Sequence, residues 1–513
     1  MANSFSNRLL ASVVACWILC WTSAFAADLR IALSADVTTM DPHGPLLQSN
    51  VVVHKHIFDA LTRFDGHGRI IPGLAESWSN PDSLTWDLKL RRGVRFHDGS
   101  EFTAEDVVYS LERPLKLKEL SGFASNVRVI AAKQVLDPHT IRLITSVPYG
   151  ALLEDLAVVL IVSKDFDSGK TAVGTGPFRL VKYAPGDRVQ LARHPEYWAG
   201  APPWDNVTLR IISAAPVRTA ALLSDDVDAI ENVSPADLPR LTKDTRFRFA
   251  RAVSWRTIFL HLDQYRDVPP GVTDKSGKPL ASNPFKDLRV RQALSKAINR
   301  EALVKQVMEG LAVPAGNIAS PTVVGHEPAV KPDAYDPEGA RRLLAEAGYP
   351  SGFQVSLATP NNRYVNDEQV ALACAQMWSR IGVTTKVEAM PMAAYVPKAR
   401  KYEFGAALLG WGYPAADLSL KQLAATPSQE RGYGAWNWGR YSNPHLDKLI
   451  EQSLQTTSPA QRETAARAAS TVAARDLAFI PLHYQIVTWA MKQSLDYAAR
   501  TDEFTLAHFF KPR

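Results

Sequence analysis

Cysteine is nearly absent, with three in 513 residues. Cys16 and Cys20 sit in an N-terminal apolar stretch, which leaves Cys374 without a partner and excludes structural disulfides from the body of the chain. The N-terminal stretch, "LLASVVACWILCW", has 13 residues, well short of the roughly 20 a membrane-spanning helix needs. Lys and Arg number 58 against 52 Asp and Glu, and this small surplus is spread along the chain without a basic run, so no nucleic-acid partner is expected. Catalytic signatures are missing too. "GKT" at Gly169 to Thr171 has Lys164 where a phosphate-binding loop needs glycine, and "GTG" at 174 to 176 has Arg179 in place of the third glycine. His326-Glu327 is followed by Pro328 and by no second histidine on the next turn, and no G-x-S-x-G occurs. The twelve histidines show no metal-ligand spacing, so neither a metal nor a cofactor is expected.

What is present begins with a leader. Arg8 precedes the apolar run, and "TSAFA" follows it with Ala24 and Ala26 placed for cleavage, so residues 1–26 read as a signal peptide and the mature chain as a periplasmic protein starting near Ala27. "VVAC" ending at Cys16 loosely resembles a lipidation box, but the apolar run continues past it to Trp21.

At this length the chain should form two to four packed units, and 46% hydrophobic with 21% charged residues is a globular composition. Short alternating strands interleave with capped helices, which predicts α/β lobes. Val290, Ala293, Leu294, Ala297 and Ile298 mark one helix face after a cap at Asp287. Asp336, Pro337 and Gly348 punctuate another helix. Near 367 to 381, Val370, Ala373, Cys374, Met377 and Ile381 share a face, which makes Cys374 a core residue. The Pro/Gly-rich stretch Asp267 to Phe285 is where the main crossover between lobes is expected, and "AFIPLHYQIVTWAM" reads as a return strand.

"RRGVRFHDGSEFTAEDVVY", residues 91 to 109, gathers His97, Asp98, Glu101, Glu105 and Asp106, which invites a reading as a catalytic centre. Local order accounts for most of them. Asp98-Gly99 is a turn, Thr103 with Asp106 starts a helix, and Glu105 favours the positive end of that helix. A secreted hydrolase using His97 or His483 is the competing class.

The segment "LAESWSNPDSLTWDLKLRRGVRFHDGSEFTAEDVVYSLER", residues 74 to 113, resembles the signature of bacterial family 5 extracellular solute-binding proteins, the peptide-binding components of ABC importers. "VTTMDPH", "GTGPFRLVKYAPGDRVQLARHPEYW", "LLSDDVDAI", "LRVRQALSKAINREALV" and "DPEGARRLLAEAGYPSGF" resemble further family blocks, in family order. The resemblance implies a two-lobe α/β periplasmic-binding-protein fold of type II, peptide-binding subclass, with an extra subdomain in the first lobe. Lobe 1 is expected over 27–265 with the subdomain at about 70–174, lobe 2 over 266–482, and a return to lobe 1 over 483–513. It further implies a non-enzymatic monomer that holds a short peptide or a related amine-bearing solute in the interlobe cleft and delivers it to an ABC permease. Relatives that carry oligosaccharides, opines, glutathione, or nickel and heme complexes keep those ligands open.

In peptide-binding members an aspartate shortly after a Gly-Trp pair holds the ligand's ammonium group. The matching stretch, "GWGYPAADLSLKQL", runs from Gly410-Trp411 to Asp417, with Leu418 where the family commonly has proline. The alternative is a helix-capping aspartate. Trp411, Tyr413, Tyr433, Trp436 and Trp438 cluster around this stretch, and two or three of them are expected in the cleft, where flat rings suit varied ligands. "TPNNRYVND" follows a predicted strand and places Asn361, Arg363 and Tyr364 on a loop of the kind that meets ligand, Arg363 being suited to a carboxylate. On the first lobe the resemblance points to Thr38 to Met40 and to Ser254, Trp255 and Arg256.

Overall fold

Two long strands, Phe247–Leu262 and Ile480–Lys492, run antiparallel through the middle of a sheet that holds twelve strands among the described residues of this computed structural model. Residues 27–117, 123–167 and 172–513 are described; the leader and Gly169 to Thr171 lie outside them. On one side of the long pair follow Ala229–Glu231, Asp28–Leu33, Asn206–Ile211, Arg188–Arg193 and Phe178–Ala184. On the other follow Ala406–Gly412, Gln354–Pro360 and the short Val272–Thr273, with Thr384–Met390 also pairing to Gln354–Pro360. From Ser254 to Leu262 every residue is buried, as in a strand covered on both faces.

Phe247–Leu262 pairs with both Ile480–Lys492 and Ala406–Gly412, so this long strand joins the two sides of the sheet just ahead of the Asp267 to Phe285 stretch. The run "WRTIFLHL" has no turn residue and carries the strand across without a break. The Pro/Gly-rich stretch instead folds back on the second lobe. Val272 and Thr273 pair with Val355 and Gln354, and the Asn283 amide donates to the carbonyls of Asp263 at 2.6 Å and Arg266 at 2.7 Å. The return passage is the strand Ile480–Lys492, which pairs with Ala229–Glu231 at one end and with Ala312–Pro314 at the other.

Four antiparallel strands, Ala75–Ser79, Thr85–Leu90, Thr140–Thr145 and Ile130–Asp137, form a separate sheet within the first lobe. The helix Ala104–Lys116 covers it, opened by an Asp106 carboxylate that accepts from Thr103 N at 2.8 Å. In the second lobe Asp287 and Asp336 start their helices by accepting from Arg289 N and Gly339 N, each at 2.8 Å. Cys374, on Asp367–Ser379, is fully buried with Trp378 and Leu294, and burial pushes its thiol up to about 12.

His97 is tied into this scaffold. Its Nδ1 accepts from Gly174 N at 3.3 Å and its Nε2 donates to Gly176 O at 3.0 Å. Burial pulls the imidazole down to about 4, so it is a neutral strut. His483 is also fully buried, and its two ring nitrogens have no hydrogen-bond partner among the described residues.

Candidate functional site

Pairing between the two passage strands slips between Val253 and Thr257, where Ser254, Trp255 and Arg256 stand against Gln485 alone. Such a bulge re-aims side chains, and here it turns Arg256 onto Glu503. Arg256 Nη2 donates to Glu503 Oε2 at 2.8 Å, and Ser254 Oγ and Gln485 Nε2 donate to Oε1 at 2.7 and 2.9 Å. Burial pushes the Glu503 carboxyl up, but the charge and hydrogen bonds of Arg256 outweigh it and hold the group below the ordinary carboxylate range.

Gln48, on the first-lobe helix Gln48–Ile57, joins this pair to the second lobe. Its amide donates to Glu503 Oε2 at 3.1 Å. Its Oε1 accepts from Arg256 Nη2 at 2.7 Å and from Arg363 Nη2 at 3.1 Å. Arg363 lies on the loop after Gln354–Pro360, where the Asp367 carboxylate accepts from the backbone N of both Arg363 and Tyr364 at 3.0 Å. Tyr364 then donates its hydroxyl to Gly410 O at 3.0 Å.

Arg363 differs from Arg256 in one respect. Among the described residues no carboxylate pairs with it, and its guanidinium rests on the Tyr364 ring at 5.2 Å. Burial, and then the like charge of Arg256, pull it below its ordinary value. A half-buried cation of this kind gains from an anionic partner.

The glycines of Ala406–Gly412 let the rings close in. A Cβ at Gly412 would stand 2.5 Å from Trp255 Cδ1, and one at Gly410 would stand 2.7 Å from Tyr364 Cε1. Trp255 is held edge-on by Phe64 at 5.6 Å and Phe504 at 6.4 Å. Trp411 and Trp436 lie 5.1 Å apart, both half-buried, and Trp436 lies 4.9 Å from Trp438. Trp438 itself turns inward onto Tyr395 at 6.0 Å. Tyr433 sits against Arg431 at 4.6 Å.

Asp417 does not face an open cleft. It is fully buried on Ala416–Leu423, and Arg462 donates to it twice, from Nε at 2.8 Å and from Nη2 at 3.1 Å. Ser453 Oγ adds a bond at 2.9 Å. The other edge of the Arg462 guanidinium reaches the first lobe, donating to Glu154 Oε1 and to Gly150 O. Gly150 N in turn donates to Leu454 O at 2.7 Å, and Asn126 donates to Tyr413 Oη at 3.1 Å. The carboxylate expected to hold an ammonium is bonded here to Arg462, whose other edge reaches Glu154 and Gly150.

Of the expected site residues, Trp255, Arg256, Arg363 and Tyr364 meet around Gly410 and Gly412. Asn361 is exposed, with its backbone N on Met390 O at 3.1 Å, and Met40 is half-buried on the first lobe. Gln48, Glu503, Arg462 and Glu154 gave no local signal, because each has a partner at least 208 positions away. Among the described residues no group of three His, Cys, Asp or Glu is arranged to hold a metal ion.

Two α/β lobes joined by paired strands, with a cation at their seam that meets no carboxylate among the described residues, define a two-lobe binding protein of the periplasmic type. Residues 69–426 match the family described as bacterial extracellular solute-binding proteins, family 5, and the chain belongs to it. Family 5 proteins are the periplasmic binding components of ABC importers. The glutathione-binding protein GsiB of Escherichia coli K12 is 28% identical over 513 residues, 96% of each chain. Among solved structures, the Helicobacter pylori periplasmic binding protein DppA in complex with the peptide STSA superposes with a TM-score of 0.83 at 24% identity, covering 95% of this chain and 98% of that one. AgaA of A. tumefaciens R10 in complex with agropinic acid gives 0.80 at 25% identity, covering 95% and 99%.

Proposed function

We propose that this chain receives a short peptide or peptide-derived solute bearing an acidic group, of the class of glutathione, and delivers it to the membrane permease of an ABC importer. One observation carries the reading: Arg363, a half-buried cation with no carboxylate partner among the described residues, sits where the lobes meet and shares Gln48 with Arg256. A ligand carboxylate completes that arrangement bidentately, as charge-assisted pairs do. The likeness to glutathione-binding relatives over nearly the whole chain supports the ligand class.

In this reading Asp417 fastens the closed form through Arg462 and Glu154 and does not hold the ligand's ammonium. Trp411 and Trp436 present flat, half-buried faces that tolerate different ligand bodies. Closure gains contacts from both lobes only around a guest that satisfies Arg363, and the permease reads the closed shape. Secretion through the N-terminal leader places the receptor in the periplasm. Native mass spectrometry of protein taken from its own periplasm tests the proposal: a bound acidic, peptide-derived mass supports it, and a neutral sugar overturns it.

A further inference from the structure

A cavity of about 220 Å³ lies within the first lobe, behind the wall that carries Trp255, and none of the residues expected at the cleft lines it. Its walls are largely apolar, with Phe58, Phe64, Phe504 and Leu506 contributing side chains, and Phe509 reaches from it to the solvent. An apolar cavity of about 150 Å³ accommodates benzene, so this volume suits a guest somewhat larger than a bare ring.

Three carboxylates and three cations line it, and they differ in how they are bonded. Its carboxylates are already engaged. Asp502 accepts from Arg500 Nε and from Phe504 N, each at 3.0 Å. Asp65 accepts from Arg69 Nε at 2.7 Å and from backbone N–H groups. Asp59 accepts from Thr175 Oγ1 at 3.1 Å, Tyr197 Oη at 3.0 Å and Trp198 Nε1 at 2.8 Å. Two of the cations are not matched in this way. Lys55 Nζ donates to Ala157 O at 3.2 Å and rests 5.7 Å from the Phe504 ring. Arg63 Nε donates to Pro72 O at 3.3 Å and stacks on Trp198 at 4.8 Å. Neither pairs with a carboxylate among the described residues. Burial pulls the Lys55 ammonium down to about 8, against the opposing charges of Asp502 and Asp59. His508 also lines the cavity, and its buried Nδ1 has no hydrogen-bond partner among the described residues.

We propose that this cavity is a second ligand site, separate from the interlobe cleft, that takes a small carboxylate with an aromatic-sized apolar body. The carboxylate is held by Lys55 and Arg63, and the body lies among Phe58, Phe64 and Phe504. An occupant touches Phe64 and Phe504, the two rings that hold Trp255 edge-on, so this site borders the seam without being part of it.

Titration calorimetry of the mature chain with benzoate and with neutral benzamide tests the site, since the two share size and differ in charge. Benzoate should bind at least about tenfold more tightly than benzamide, a difference of ~1.4 kcal/mol. Lys55→Met and Arg63→Met should each weaken benzoate by about tenfold or more, and Leu506→Trp, which fills the cavity, should remove binding. Arg363→Ala should leave benzoate binding unchanged, because Arg363 belongs to the cleft. Melting curves on each variant separate lost binding from lost folding, and either methionine variant that folds suffices for the test. Equal affinity for benzamide, no heat from benzoate, or loss of benzoate binding in Arg363→Ala would overturn the proposal.

Discussion

Arg363 and Gln48, 315 positions apart in the chain, meet at 3.1 Å where the second lobe touches the first. The amide oxygen between them also serves Arg256, so two guanidinium groups converge on one neutral acceptor while a single carboxylate, Glu503, balances Arg256. That imbalance of charge is the chemical content of the seam, and it favours an acidic guest.

Replacing Arg363 by alanine should weaken binding of glutathione by roughly 10- to 100-fold, the equivalent of about 1.5–3 kcal/mol for a lost charge-assisted bond. The melting temperature should stay close to that of the parent, since no internal carboxylate loses its partner. Calorimetry and a thermal melt together check this, and a large drop in melting temperature would speak for a structural role instead.

Asp417→Ala should behave in the opposite way. Arg462 is buried against Asp417 and Glu154, and their charges raise it well above its ordinary value against the downward pull of burial. Removing Asp417 strands part of that charge, at a cost of roughly 3–5 kcal/mol in stability. Denaturant unfolding measures it. A variant as stable as the parent that has lost only ligand affinity would return Asp417 to the role of ammonium holder.

The buried histidines set the acid limit of the fold. Burial pulls His43, His54, His56 and His97 down to about 4, and His261 and His483 down to about 3. In the unfolded chain they titrate near 6.5, so below that value the unfolded state binds more protons and stability falls as the pH falls. The contribution is fully present above about pH 6.5 and is drained progressively down through about pH 4 and 3. Unfolding free energies at pH 7 and pH 5 should differ by several kcal/mol; equal values at both would contradict the burial of these rings in neutral form.

Cys374 should be silent toward thiol reagents in the native protein. It is fully buried and its thiol is pushed up to about 12, so almost no thiolate exists at neutral pH. An aromatic disulfide reagent should titrate it only after denaturant is added, and rapid native labelling would show that the helix carrying it opens.

Much of the architecture was legible because it rests on local rules. Asp287 and Asp336 announce their helices through side chains that cap the next few residues, and the period of Val370, Cys374 and their neighbours placed a core face. His97 was legible as scaffold once Asp98, Thr103 and Asp106 had been given turn and helix-start roles. Proline and glycine mark a break in local structure, whereas the long strands Phe247–Leu262 and Ile480–Lys492 carry no such mark. Asp417 was legible as a charge needing a partner but not as one already holding Arg462, 45 positions on, and Glu503 escaped notice because its partner Arg256 lies 247 positions away. Long-range charge pairing has no periodic signature in a sequence.

Calorimetric titration of the mature protein with glutathione, set beside its dialkyl ester in which both carboxylates are masked, bears most directly on the proposed function. A cleft built around Arg363 should bind the free acid and bind the ester at least about tenfold more weakly. Equal binding of acid and ester, or no binding of either by a protein that melts cooperatively, would contradict it.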